Sequence, residues 1–95
     1  MNLARHIVRL DNPLDRSLLS YFEQRPGRWI RRQAVMRACG FDDPIKQPVG
    51  AYAQFASTLI RVNREIAPRG LRIMRDEEAL DLFALQDMKE YGKDA

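Results

Sequence analysis

The chain holds one cysteine and one histidine. Cys39, the single thiol, excludes an internal disulfide framework and a multi-cysteine zinc site, and suits a reducing compartment. It falls at an apolar helical position, where a buried, inert thiol is the ordinary outcome, and His6 stands alone near the N-terminus, where a surface imidazole is. No apolar run approaches the ~18–20 residues that a membrane span needs, and residues 1–12 lack the apolar stretch of a signal peptide. A cytoplasmic protein with no membrane contact is expected. The five glycines form no phosphate-cradling loop, and the thirteen acids follow no calcium or zinc spacing. Asp42-Asp43 and Asp76-Glu77-Glu78 are neighbours in sequence rather than the opposed pair that acid/base work needs, so loop solvation and helix capping account for them. No catalysis, cofactor or metal is expected.

What is present is a chain of 95 residues, 45% hydrophobic and 31% charged, the composition of a single globular domain rather than of a disordered segment. Its charge is segregated. Residues 1–75 hold 14 Lys+Arg against 6 Asp+Glu, a net +8, whereas residues 76–95 hold 2 against 7, a net −5. Of the 16 basic residues 13 are arginine, whose planar fork suits phosphate and guanine.

Periodicity divides the chain into elements. Leu3, Ile7, Val8 and Leu10 fit a short strand or a weak helix. From Pro13, Leu14, Leu18, Leu19 and Phe22 recur at three- and four-residue spacing, and Pro26-Gly27 follows, which predicts a helix over 13–24. Arg28-Trp29-Ile30 is a short extended candidate, and a second helix over 31–39 ends at Gly40. A loop carrying Pro44 and Pro48 leads to a third helix over 50–66, whose apolar stripe is Phe55, Leu59, Val62 and Ile66. At ~100° per residue, Gln54, Ser57, Thr58, Arg61 and Glu65 gather on a separate, polar face. After Pro68-Arg69-Gly70, residues 71–75 alternate as a strand. Residues 76–91 admit two structures: Leu80–Leu85 as the return strand of a hairpin, or a helix capped by Asp76 and ending at Gly92. A strand over 71–75 needs a partner, which favours the hairpin.

A short helix, a turn and a longer helix with a polar exposed face is the order of a helix-turn-helix, in which the second helix meets base edges in the major groove. Gln54, Ser57, Thr58 and Arg61 are all able to hydrogen-bond bases or phosphates.

Two stretches carry a family resemblance. Leu18-Leu19, then Arg25-Pro26-Gly27-Arg28-Trp29-Ile30-Arg31-Arg32-Gln33, ending Ala38-Cys39-Gly40-Phe41, resembles the "LL…hPGrvvsRe.LL..vWGy" stretch of the effector domain of OmpR/PhoB-type response regulators. Arg61 to Ile73 is similar to that family's "RLRrKLeplGLrI". The resemblance spans about residues 10–75. It implies an α+β winged helix-turn-helix, three helices followed by a C-terminal β-hairpin wing, with the third helix in the major groove and Ser57, Thr58, Arg61 and Arg64 at or beside it. The expected layout is an N-terminal extension over 1–12, a winged-helix domain over 13–85 and an acidic tail over 86–95. Cys39 replaces the family's helix-two tryptophan, and the 95 residues leave no length for a receiver domain. Asp76-Glu77-Glu78-Ala79 replaces the wing tip "RGvGY", and phosphates repel such a tip.

Two functions fit these residues. The first is a small sequence-specific DNA-binding transcriptional regulator that contacts bases through Gln54, Ser57, Thr58 and Arg61 and phosphates through Arg28, Arg31, Arg32, Arg64, Arg72 and Arg75. Its partner is double-stranded DNA, and its small size calls for a homodimer or tandem binding. The second is a protein–protein adaptor acting through the acidic 76–91 segment on a partner such as RNA polymerase or another regulator. On that reading, deleting residues 79–95 removes partner capture and spares the fold.

Overall fold

The computed structural model describes the backbone of residues 10–93 and the side chains of residues 10–90. His6 and the expected N-terminal element at Leu3, Ile7 and Val8 lie outside the described residues. The fold is mixed α+β, with four α-helices and one three-stranded antiparallel sheet among the described residues.

Helix α1 (Pro13–Glu23) starts where Asn12 Oδ1 accepts the Leu14 N–H at 2.8 Å and where proline, lacking an N–H, leaves no donor to satisfy. It turns Asp15, Leu18, Leu19 and Phe22 inward. Leu18 and Phe22 are fully buried, each contributing roughly 1.5–3 kcal/mol. Strand β1 (Ile30–Arg31) leads directly into helix α2 (Arg32–Cys39), one residue later than periodicity placed the helix. Gly40 ends α2 at φ 82°, a left-handed conformation that costs an L-residue ~1–2 kcal/mol. Helix α3 (Pro48–Ile66) begins two residues before the expected start, because Pro48 is accepted at the first helical position. A 3₁₀ turn over Ala67–Arg69 and Gly70 lead into strand β2 (Leu71–Arg75).

The second structure admitted by residues 76–91, a continuous helix, is displaced by the hairpin. Strand β3 (Leu82–Asp87) pairs antiparallel with β2 from Leu71↔Asp87 to Arg75↔Phe83, and the short helix α4 (Met88–Lys93) follows. The turn closes through the Asp76 N–H donating to the Leu82 carbonyl at 2.9 Å, while Asp76 Oδ1 accepts the Glu78 N–H. β3 also pairs with β1, Ile30↔Phe83 and Arg31↔Leu82, so the sheet order is β1-β3-β2 and the last strand in sequence is central. The expected tolerance of a 79–95 deletion is therefore corrected: Phe83, Ala84 and Leu85 of β3 are buried, and the deletion removes them with the middle of the sheet.

The core lies between the helices and the sheet. Phe55 of α3 bridges the two, with ring centroids 5.6 Å from Phe41 and 5.2 Å from Phe83. Asn63 fixes the hairpin to α3 by acting as an extra strand edge. Its Nδ2 donates to the Ile73 carbonyl at 3.0 Å and its Oδ1 accepts the Ile73 N–H at 2.8 Å.

Candidate nucleic-acid interface

The rotation of α3 about its axis decides which side chains it presents. Ala51, Phe55, Thr58, Val62 and Ile66 are buried. Val49, Ala53, Ala56, Ser57, Ile60 and Arg64 are exposed, and at ~100° per residue they share one face opposite the buried one. Val49 is 84% and Ile60 66% exposed. The outward face is thus mostly apolar, with Ser57 and Arg64 along one margin.

The four side chains expected at base edges are placed differently. Thr58 is fully buried, and its hydroxyl donates to the Gln54 backbone carbonyl at 2.8 Å and accepts Arg61 Nη2 at 3.2 Å. Arg61 clasps the carboxylate of Asp15 in α1, Nε to Oδ2 and Nη2 to Oδ1, both at 2.9 Å. That hydrogen-bonded carboxylate holds the guanidinium above its ordinary basicity. Gln54 Oε1 accepts the Asp42 N–H at 3.0 Å, capping the preceding loop. Of the four, only Ser57 faces outward without a protein partner among the described residues. The expected polar face is corrected for a physical reason: Arg61, backed by Thr58, supplies the donors that the buried carboxylate of Asp15 needs, and Gln54 caps the loop at Asp42. Asp15 is the residue that sequence reasoning missed. It precedes Leu18, Leu19 and Phe22 by three, four and seven residues, which puts it in the buried stripe of α1.

The expected phosphate contacts divide into four groups. Arg31 is exposed but bound to Asp81 at 3.0 Å. Arg28 is exposed next to β1. Arg32, Arg72 and Arg75 line a groove of about 580 Å³ between α3 and the hairpin, beside Tyr52 and Ala56 of α3 and closed at the turn by Asp76 and Glu77. The Arg32 guanidinium lies 4.2 Å over the Tyr52 ring, and its Nε is buried with no partner. On the opposite flank of α3, Arg64 lines a shallow hollow of about 350 Å³ with Arg61, Asn12 and three acids, Asp11, Asp15 and Glu65. Among the described residues, Arg28, Arg32, Arg64, Arg72 and Arg75 make no ion pair. The exposed face of α3 is thus bordered by an arginine-rich groove on one side and by Arg64, in a hollow of mixed charge, on the other, with Lys46 exposed ahead of its first turn.

The remaining reactive group is quiet. The Cys39 Sγ donates to the Ser17 carbonyl at 3.5 Å, and burial pushes the thiol up to about 11 against a smaller, opposing effect of Arg25. Among the described residues no three His, Cys, Asp or Glu side chains are placed to hold a metal ion, and no helix is long and apolar enough to cross a membrane. Comparison of the chain with protein-family models, with curated proteins and with solved structures finds no match.

Proposed function

We propose that this chain is a winged helix-turn-helix module that binds duplex DNA, with α3 in the major groove, the β2–β3 hairpin as its wing, and transcriptional regulation as its role. The element order α1, β1, α2, α3, β2, β3 and the sheet order β1-β3-β2 support the winged-helix reading, as does the resemblance over residues 10–75. The observation that carries the proposal is the set of arginines without ion pairs beside the exposed face of α3. Arg32, Arg72 and Arg75 stand on one side, in a groove that Asp76 and Glu77 close, and Arg64 on the other, in a hollow that Asp11, Asp15 and Glu65 share. None of the four makes an ion pair among the described residues. Two phosphate backbones flank the floor of a major groove, and unpaired guanidinium groups on both sides of a helix complement them.

Fluorescence-anisotropy titration of random duplex DNA across a salt series tests this. Sub-micromolar binding at low salt that falls steeply with ionic strength is the expected result, and no binding at low salt overturns the proposal. Analytical ultracentrifugation of the same samples reads whether a homodimer occupies the duplex.

A second reading, a protein–protein adaptor, is favoured by one observation: Ile45, Val49 and Ile60 are 81%, 84% and 66% exposed, and exposed apolar side chains of this size mark interaction surfaces when they are contiguous. On that reading the partner is a protein such as RNA polymerase or another regulator, and it meets α3 rather than the acidic hairpin turn.

A further inference from the structure

We infer that the exposed face of α3 recognises the C5-methyl groups of thymines, so that sequence preference comes from apolar contact rather than from hydrogen bonds to base edges. The inference rests on the DNA-binding reading and names what the groove must offer. Readout by hydrogen bonding needs free donors and acceptors on the presented face. Gln54, Thr58 and Arg61 are spent inside the protein, on Asp42, the Gln54 carbonyl and Asp15. What remains outward is the apolar row Val49, Ala53, Ala56 and Ile60, spaced 4, 3 and 4 residues apart, with Ser57 and Arg64 along its margin. From Val49 to Ile60 the row extends ~17 Å at 1.5 Å per residue, the length of about five base-pair steps at 3.4 Å each.

Of the four bases only thymine carries an apolar group in the major groove, and small aliphatic side chains are its natural contacts. Every base pair sets polar atoms against this row, at a cost that an A·T pair offsets with the thymine methyl and an unmethylated G·C pair does not. Arg72 and Arg75 on one side of the row and Arg64 on the other make no ion pair among the described residues, which favours a phosphate-bearing occupant.

The test compares four duplexes of one length with the full chain: an A·T-rich sequence, the same sequence with every thymine replaced by deoxyuridine, and a G·C-rich sequence with and without 5-methylcytosine. Removing a buried methyl weakens binding roughly four-fold for each one contacted, so the deoxyuridine duplex is expected to bind about ten-fold or more weaker than its thymine parent. 5-Methylation of cytosine is expected to tighten the G·C duplex. Ile60→Ser, at an exposed position, should leave the melting temperature unchanged and shrink the thymine–deoxyuridine difference. Equal, salt-sensitive affinity for the thymine and deoxyuridine duplexes overturns the methyl readout and leaves DNA binding standing. Failure to bind any duplex at low salt removes the functional reading and this inference with it. A dimer in free solution that Ile60→Ser dissociates assigns the row to a second copy of the chain, and overturns the inference as well.

Discussion

Asp15 and Arg61, 46 positions apart, form a two-pronged ion pair that ties the first turn of α1 to the middle of α3, and Thr58 completes it from below. The two partners differ in burial: the side chain of Asp15 is 5% exposed and that of Arg61 37%. This asymmetry predicts unequal variants. Asp15→Ala leaves an arginine that turns into water. Arg61→Ala strands a carboxylate in the core, the costlier outcome for a buried charge. Thermal melts should show Arg61→Ala well below Asp15→Ala. Equal melting temperatures at neutral pH would show that the pair is slack.

Asn63→Ala should destabilise the protein by ~1–3 kcal/mol, because both the N–H and the carbonyl of Ile73 lose their partner where α3 meets β2. Urea denaturation measures it. Asn63→Asp should be no better than alanine, since a carboxylate accepts the Ile73 N–H but repels the Ile73 carbonyl. A neutral Asn63→Ala would mean that water satisfies the strand edge.

Cys39 should react slowly with iodoacetamide in the native protein near neutral pH and rapidly once unfolded, because burial raises the thiol from 9.0 to about 11. A raised folded value favours the folded state fully below 9.0 and loses that contribution as pH rises from 9.0 toward 11. Cys39→Ala should therefore flatten part of the alkaline loss of stability. Native alkylation as fast as that of a free thiol would contradict the burial.

Arg72→Ala and Arg75→Ala, both at exposed positions of β2, should leave the melting temperature in place. Each phosphate contact they remove lowers the log–log salt slope of duplex binding by about 1. Affinity should fall similarly on all sequences, unlike the effect of Ile60→Ser, which should depend on thymine. An unaltered slope in the double variant would take the hairpin off the DNA.

Chain-local signals determined where the elements lie. Pro13, Pro26-Gly27, Gly40 and Pro68–Gly70 bound the helices because proline and glycine act on their own backbone. The pairing of β2 with a return strand was legible for the same reason, since a lone strand leaves its hydrogen-bonding edge open. Strand β1 was legible only as an extended candidate over 28–30: two residues have no periodicity to read, and pairing with Phe83 and Leu82 places the strand at Ile30 and Arg31. The buried stripe of α3 was legible, since Phe55, Val62 and Ile66 are buried as their spacing predicts. What periodicity did not show is the flank of that stripe, where Thr58 is buried and Gln54 and Arg61 are bonded within the protein. The tertiary structure decided it. Phe55 fills the space between Phe41 and Phe83, and the charge of Asp15, arriving from another helix, draws Arg61 and Thr58 inward and leaves the row from Val49 to Ile60 facing out.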